Sequence, residues 1–154
     1  MRGLNLALLA TVVSQSRVLV VDDEPPIRAL IAKIIQRAGF HVDTARDGAE
    51  AIEMLREGAY SVLVIDLMMP NVDGYDVIEY IRASGIARPA IIVITAGDTA
   101  SIRRLDPAMV HSVLRKPFDI DVLGDLIVAA AQSMAGANEK SDGNLLEFPK
   151  SDAC

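Results

Sequence analysis

Residues 17–24 read RVLVVDDE: four apolar side chains in a row, Val18 to Val21, followed at once by Asp22, Asp23 and Glu24. A strand with one wet face alternates apolar and polar residues. An unbroken, largely β-branched run is what a strand needs when both of its faces are covered. The same form returns as SVLVI at 61–65 and AIIVI at 90–94, with shorter versions at His41–Thr44 and Ser112–Leu114.

Between these runs the period changes from two to 3.6. Ile27, Leu30, Ile31, Ile34 and Ile35 share one helix face, Pro26 suits a first turn and Gly39 a stop. Asp47-Gly48 turns the chain into a second helix with Ala49, Ile52 and Leu55, ended near Gly58. Asp73 caps a third helix carrying Val77, Ile78 and Ile81, ended near Gly85. Asp98 caps a short fourth helix through Leu105, closed by Asp106-Pro107. Asp119 caps a fifth, with Val122, Leu123, Leu126, Ile127 and Ala130 as its buried face. Strands and helices in strict alternation, five of each, predict an α/β fold: a parallel sheet with helices on both faces.

Composition sets the outer bounds. The chain has 154 residues, 51% of them hydrophobic, which is enough to bury a core and fits one domain with short ends. The formal net charge is −6, and 17 acidic against 12 basic side chains fall within 17–132. No basic stripe emerges, which argues against direct contact with nucleic acid, since that draws on clustered Lys and Arg. Cys154, the single cysteine, is the last residue, so neither an internal disulfide nor a Cys-based zinc site can form.

The ends differ from the body. Residues 1–16, MRGLNLALLATVVSQS, are apolar with one positive charge. They have a superficial likeness to a secretory signal but lack its small-residue cleavage pattern, and they are too short to span a bilayer. They are expected to be an extension, with the domain at 17–132. Residues 133–154 are rich in Asn, Ser, Asp, Gly and Lys and predict a flexible polar tail, with Leu145, Leu146 and Phe148 as a small apolar cluster inside it. No output domain is expected after such a tail.

In open α/β sheets ligands bind beyond the carboxyl ends of the strands, so the residues just after each apolar run carry the chemistry. They are Asp22, Asp23 and Glu24 after the first run, Asp66 after the third, Thr95 after the fourth, and Lys116 then Pro117 after the fifth. Carboxylates gathered this closely repel one another unless they share something positive. A hard divalent cation with oxygen ligands, Mg²⁺ in particular, suits them, and Lys116 adds a compact point charge for an anion.

VLVVDDE at 18–24, VIDLMMPNVDG at 64–74, ITA at 94–96 and LRKPF at 114–118 together closely resemble the receiver domain of two-component response regulators. The resemblance covers about Arg17 to Ala131. It implies a flavodoxin-like (βα)5 three-layer sandwich with strand order 2-1-3-4-5. It implies that Asp66 accepts a phosphoryl group from a phosphohistidine on a sensor histidine kinase or phosphotransfer protein. Asp23, Asp66 and the backbone carbonyl of Met68 would ligate Mg²⁺ directly, Asp22 through water. Lys116 and Thr95 would hold phosphoryl oxygens, and a cis peptide would precede Pro117. Pro70 and Gly74 would shape the loop after the acceptor. Met68 and Gly97 occupy the two positions that tune phosphoryl lifetime in this family, and neither can orient a water.

The resemblance also implies the setting: a cytoplasmic protein, monomer or weak dimer, that switches its binding to a downstream protein target or relays the phosphoryl group to a second histidine protein. The chain departs from the pattern at Val113, where the family usually carries a switch aromatic, and at DPAMVH, 106–111. His111 in that segment reads as a loop imidazole. Two other readings fit less well. A haloacid dehalogenase-like phosphatase needs a second acid two residues after its nucleophile, and Met68 stands there. A flavin carrier needs a Gly/Ser/Thr phosphate cradle after the first strand, where this chain has DDEPP.

Overall fold

The computed structural model describes residues 6–152, with side chains described as far as Gly136, Ser14 excepted. Cys154 lies outside the described residues, as do the side chains of Leu145, Leu146 and Phe148. Eleven elements follow in order: α1 Leu6–Gln15, β1 Arg17–Val21, α2 Pro25–Arg37, β2 His41–Ala45, α3 Gly48–Glu57, β3 Val62–Ile65, α4 Gly74–Ser84, β4 Ala90–Thr95, α5 Thr99–Arg103, β5 Ser112–Arg115 and α6 Ile120–Asp152. The strands form one parallel sheet in the order β2-β1-β3-β4-β5.

The unbroken apolar runs are the inner strands. All four residues of β3 and all six of β4 are buried, and β1 is buried after Arg17. The two shorter runs are the edges and stay partly exposed. Successive side chains in a strand point to opposite faces, and the core divides accordingly. Leu19, Val21, Leu63, Ile65, Ile91 and Val93 meet α3 and α4 through Ala51, Leu55, Val77 and Ile81. Val18, Val20, Val62, Val64, Ile92 and Ile94 meet α2 and α6 through Ile31, Ile35, Leu123 and Ile127.

Three expectations change. The helix count is six, because residues 6–15 form α1, and Val12 and Val13 pack against the second face of the core. An uncharged apolar segment gains by docking, and Gly39, at φ 97°, leaves the space: a Cβ there would stand 3.1 Å from Val13 Cγ1. Leu30 and Val122, placed on buried faces by periodicity, are 40% and 44% exposed. Finally, α6 passes residue 132 without a break, and its backbone is helical to Asp152. The alanine-rich stretch 129–137 favours that continuation.

Helix starts follow the caps read from sequence. Asp73 forms a capping box with Asp76 on α4, Asp47 caps α3 and Asp98 caps α5. Asp119 accepts from the Asp121 and Val122 amides at the start of α6.

Candidate functional site

The sheet reverses direction between β1 and β3, because the chain goes outward from β1 to β2 and returns to β3 on the other side. At such a point the loops leaving the two strands part and open a crevice. Asp22 and Asp23 leave β1 there, and Asp66 leaves β3. One oxygen from each carboxylate lies within 4.8 Å of the others.

Lys116 arrives from the end of β5 with its side chain only 14% exposed. Its ammonium donates to Asp66 Oδ2 at 2.9 Å and to Asp22 Oδ2 at 3.0 Å, with Glu24 Oε1 at 3.5 Å. The Lys116–Pro117 peptide is cis. The second oxygen of Asp66 accepts from the Met68 amide at 3.1 Å, and that of Asp22 from the Glu24 amide at 2.9 Å. Arg28, in the first turn of α2, donates to the Asp22 carbonyl at 2.9 Å. Thr95 is fully buried at the end of β4, and its hydroxyl accepts from the Gly97 amide at 3.0 Å. Among the described residues no buried side-chain polar atom lacks a partner.

Burial pushes the Asp66 carboxyl above its ordinary range, and the nearby Asp22 charge adds to this. The hydrogen bonds from Lys116 and Met68 only partly offset it. Burial alone would lower the Lys116 ammonium, but its bonds to Asp66 and Asp22 outweigh that and raise it. Lys116 therefore stays charged at any ordinary pH. Three carboxylates with one ammonium leave negative charge in excess, and oxygen donors this close fit a hard divalent cation.

Gly74 brings α4 close beneath the loop that follows Asp66. A Cβ at that position would lie 2.6 Å from the Asp66 backbone oxygen and 2.7 Å from Leu67 Cα. The Gly74 amide donates to the Leu67 carbonyl at 3.1 Å. Asn71, in the same loop, sits at φ 67°.

The structure thus brings Asp22, Asp23, Asp66 and Lys116 together, with Thr95 on the neighbouring strand end. Val113 is 37% exposed and opposite Val93 in the sheet register, and Met68 is 57% exposed beside the crevice. His111 is exposed, with Nδ1 2.7 Å from Ser112 Oγ. Sequence reasoning missed Arg28 and Arg115. Arg28 could have been found as the basic residue in the helix turn facing the first strand end. Arg115 has no such signal: its guanidinium reaches the loop after β4, whose course is not written in local sequence.

An acid crevice at the reversal point of a parallel sheet, clamped by a lysine from another strand end, marks the class of α/β protein to which the chain belongs. The chain belongs to the family of response regulator receiver domains, whose family model matches residues 18–128. It is 37% identical over 112 residues to the transcriptional regulatory protein TcrA of Mycobacterium tuberculosis, a match covering 72% of this chain and 44% of TcrA. It is 39% identical over 109 residues to the response regulator MprA of Mycobacterium ulcerans, covering 70% and 46%. It also matches the sensor histidine kinase RcsC of Salmonella typhimurium, 33% identical over 115 residues, 75% of this chain and 12% of that one. The chain therefore spans less than half the length of these relatives. Among solved structures, it resembles the receiver domain of Francisella response regulator 1452 (TM-score 0.71, 29% identity, 77% of this chain and 98% of that one). It also resembles the response regulator TrrA of Thermotoga maritima in complex with Mg²⁺-BeF (TM-score 0.68, 32% identity, 75% and 99%). No helix among the described residues is long and apolar enough to cross a membrane.

Proposed function

We propose that Asp66 is a phosphoacceptor. One of its carboxylate oxygens attacks the phosphorus of a phosphohistidine, an O–P bond forms, the N–P bond breaks, and the imidazole keeps the electron pair and takes up a proton. The observation that carries this reading is Asp66 itself, 4% exposed at a strand end, its Oδ2 2.9 Å from Lys116 Nζ and its carboxyl grouped with Asp22 and Asp23. A carboxylate is an adequate nucleophile when the group it attacks is neutralised and aligned.

Asp22, Asp23, Asp66 and the Met68 carbonyl would hold Mg²⁺. When bound it offsets charge on the phosphoryl oxygens, where electrostatics and positioning provide most of the catalysis. Lys116 gives up its bond to Asp66 to pair with a phosphoryl oxygen, and Thr95 turns its hydroxyl to donate to another. Pro117 follows Lys116 and starts the turn into α6. The donor is a sensor histidine kinase or a histidine phosphotransfer protein. The charged form changes binding to a downstream protein target or passes the phosphoryl group to a second histidine protein. The setting is the cytoplasm, and the protein acts as a monomer or weak dimer. It assists its own phosphorylation and is not a turnover enzyme.

The test is incubation with acetyl phosphate, with and without Mg²⁺, followed by intact mass. One phosphoryl group is expected with Mg²⁺, and none in Asp66→Asn. An adduct that persists in Asp66→Asn, or none from either acetyl phosphate or a histidine kinase, would reject the assignment.

A further inference from the structure

Among the described residues α1 is the one helix with no charged side chain, in a chain of formal net charge −6. The family match begins at residue 18, after α1 has ended. The helix is nonetheless held firmly. A single residue, Ser16, joins it to β1. Ser16 is buried, and its amide and hydroxyl both donate to the Val12 carbonyl, at 3.1 Å and 2.6 Å. Val12 and Val13 pack on the core, and Val12 and Gln15 share a cleft with Ala131 and Met134 of α6.

These contacts account for the inner face only. A helix lying on a domain normally turns charged and polar residues outward. Here the outer side presents Leu6, 85% exposed, and Leu8, 40% exposed, with Ala7 and Ala10 also exposed. Among the described residues no large apolar side chain is more exposed than Leu6. The Thr11 hydroxyl, on the same side, turns back to the Ala7 carbonyl at 3.0 Å.

We propose that the outer face of α1 docks a second copy of this chain, α1 against α1, in a weak and reversible dimer. Charge selects this occupant. Two copies of a chain at −6 repel each other, and a two-fold contact sets each patch against itself. A face without charge is where such copies meet with no like charges opposed. A lipid surface fits less well, because helices that lie on one carry Lys and Arg on their polar face, and α1 has neither. Size sets the strength. Ten residues make a helix about 15 Å long, too little for the ~1,200 Å² of a stable interface. The geometry leaves the acid crevice open, because α1 enters β1 at Arg17 and Asp22 leaves the opposite end of that strand. The dimer does not depend on chemistry at Asp66.

The test is sedimentation velocity on the full chain across a concentration series, with reductant present so that Cys154 forms no disulfide. The wild type passes reversibly from monomer to dimer as concentration rises. Leu6→Glu and Ala10→Glu each raise the dissociation constant by about tenfold or more, at an unchanged melting temperature. Ala83→Glu, which adds the same charge at an exposed position on α4, leaves it unaltered. Isotope-filtered NMR on mixed labelled and unlabelled chains needs no variant: the α1 methyls give contacts between copies. A wild type that stays monomeric to about 1 mM, a dimer that both α1 variants leave intact, or contacts between copies from other elements alone would overturn the proposal. So would binding to phosphatidylcholine vesicles by the wild type and not by the α1 variants, which would give the face to a membrane.

Discussion

Tyr60 and Asp43 show what one hydrogen bond does away from the pocket. The Tyr60 hydroxyl donates to Asp43 Oδ2 at 2.7 Å, Arg17 Nη2 reaches the same oxygen at 2.6 Å, and Arg17 lies 4.9 Å over the Tyr60 ring. The Tyr60 bond holds the Asp43 carboxyl below its usual 3.8, with Arg17 helping against a small cost of burial. Burial, and then the bond to Asp43, push the Tyr60 phenol up to about 12. The signs follow from linkage. The depressed Asp43 contributes stability above pH 3.8 that is lost as pH falls through its lower folded value. The raised Tyr60 contributes stability below pH 10 that is lost as pH rises towards about 12. Tyr60→Phe should cost about 1 kcal/mol at neutral pH, a modest figure because Asp43 is 38% exposed. Urea denaturation across pH should show that gap narrowing at both extremes; a gap independent of pH would be inconsistent with the pair. None of this was legible in sequence, because Asp43 and Tyr60 sit 17 residues apart in unremarkable positions. Asp22, Asp23, Asp66 and Lys116 were legible for the opposite reason. Asp22 and Asp66 directly follow an apolar run, and Asp23 and Lys116 come one residue further on, so the strand end itself marks them.

Among the elements, α4 is the one most tightly joined to the site. Its capping box fixes where it starts, and Gly74 lets that start lie against the backbone of Asp66 and Leu67. The two features separate by mutation. Asp73→Ala removes a cap and should cost about 1 kcal/mol, with little effect on adduct formation. Gly74→Ala forces the loop to move and should cost about 1–3 kcal/mol, while also slowing the acetyl phosphate reaction at Asp66. Denaturant melts paired with timed mass spectra would check both, and an unslowed Gly74→Ala would show that the acceptor loop tolerates displacement. Periodicity found these helices because each has one face to bury. It failed at α1, where a charge-free apolar decapeptide looks the same whether it is exported, exposed or docked. In the structure Val12 and Val13 pack against the core, and a Cβ at Gly39 would lie 3.1 Å from Val13 Cγ1. It failed also at Leu30 and Val122, because the sheet covers a narrower stripe of α2 and α6 than their apolar residues fill.

For the molecule as a whole, the sheet carries a charge conflict at one edge that its core must withstand. The burial that raises Asp66 means that, without metal, folding holds an ionised carboxylate in a place that disfavours it. Mg²⁺ at ten times its dissociation constant should therefore stabilise the fold by about 1.4 kcal/mol, a rise of roughly 5 °C in Tm. Asp23→Asn should lose most of that rise and a chelator should reverse it; a Tm indifferent to Mg²⁺ would count against the proposed cation.

The division between central strands and peripheral helices has a further consequence for how the molecule comes apart. β1 and β3 are buried on both faces, whereas α5 has no buried residue. Backbone amides of the central strands exchange with solvent only through near-global opening, while those of α5 exchange through small local excursions. The carboxylates thus stand on the most persistent part of the molecule, and the segment that follows Thr95 stands on one of the least. Transient fraying of α5 leaves the acid crevice assembled, so chemistry at Asp66 and rearrangement of its surroundings can proceed on separate clocks.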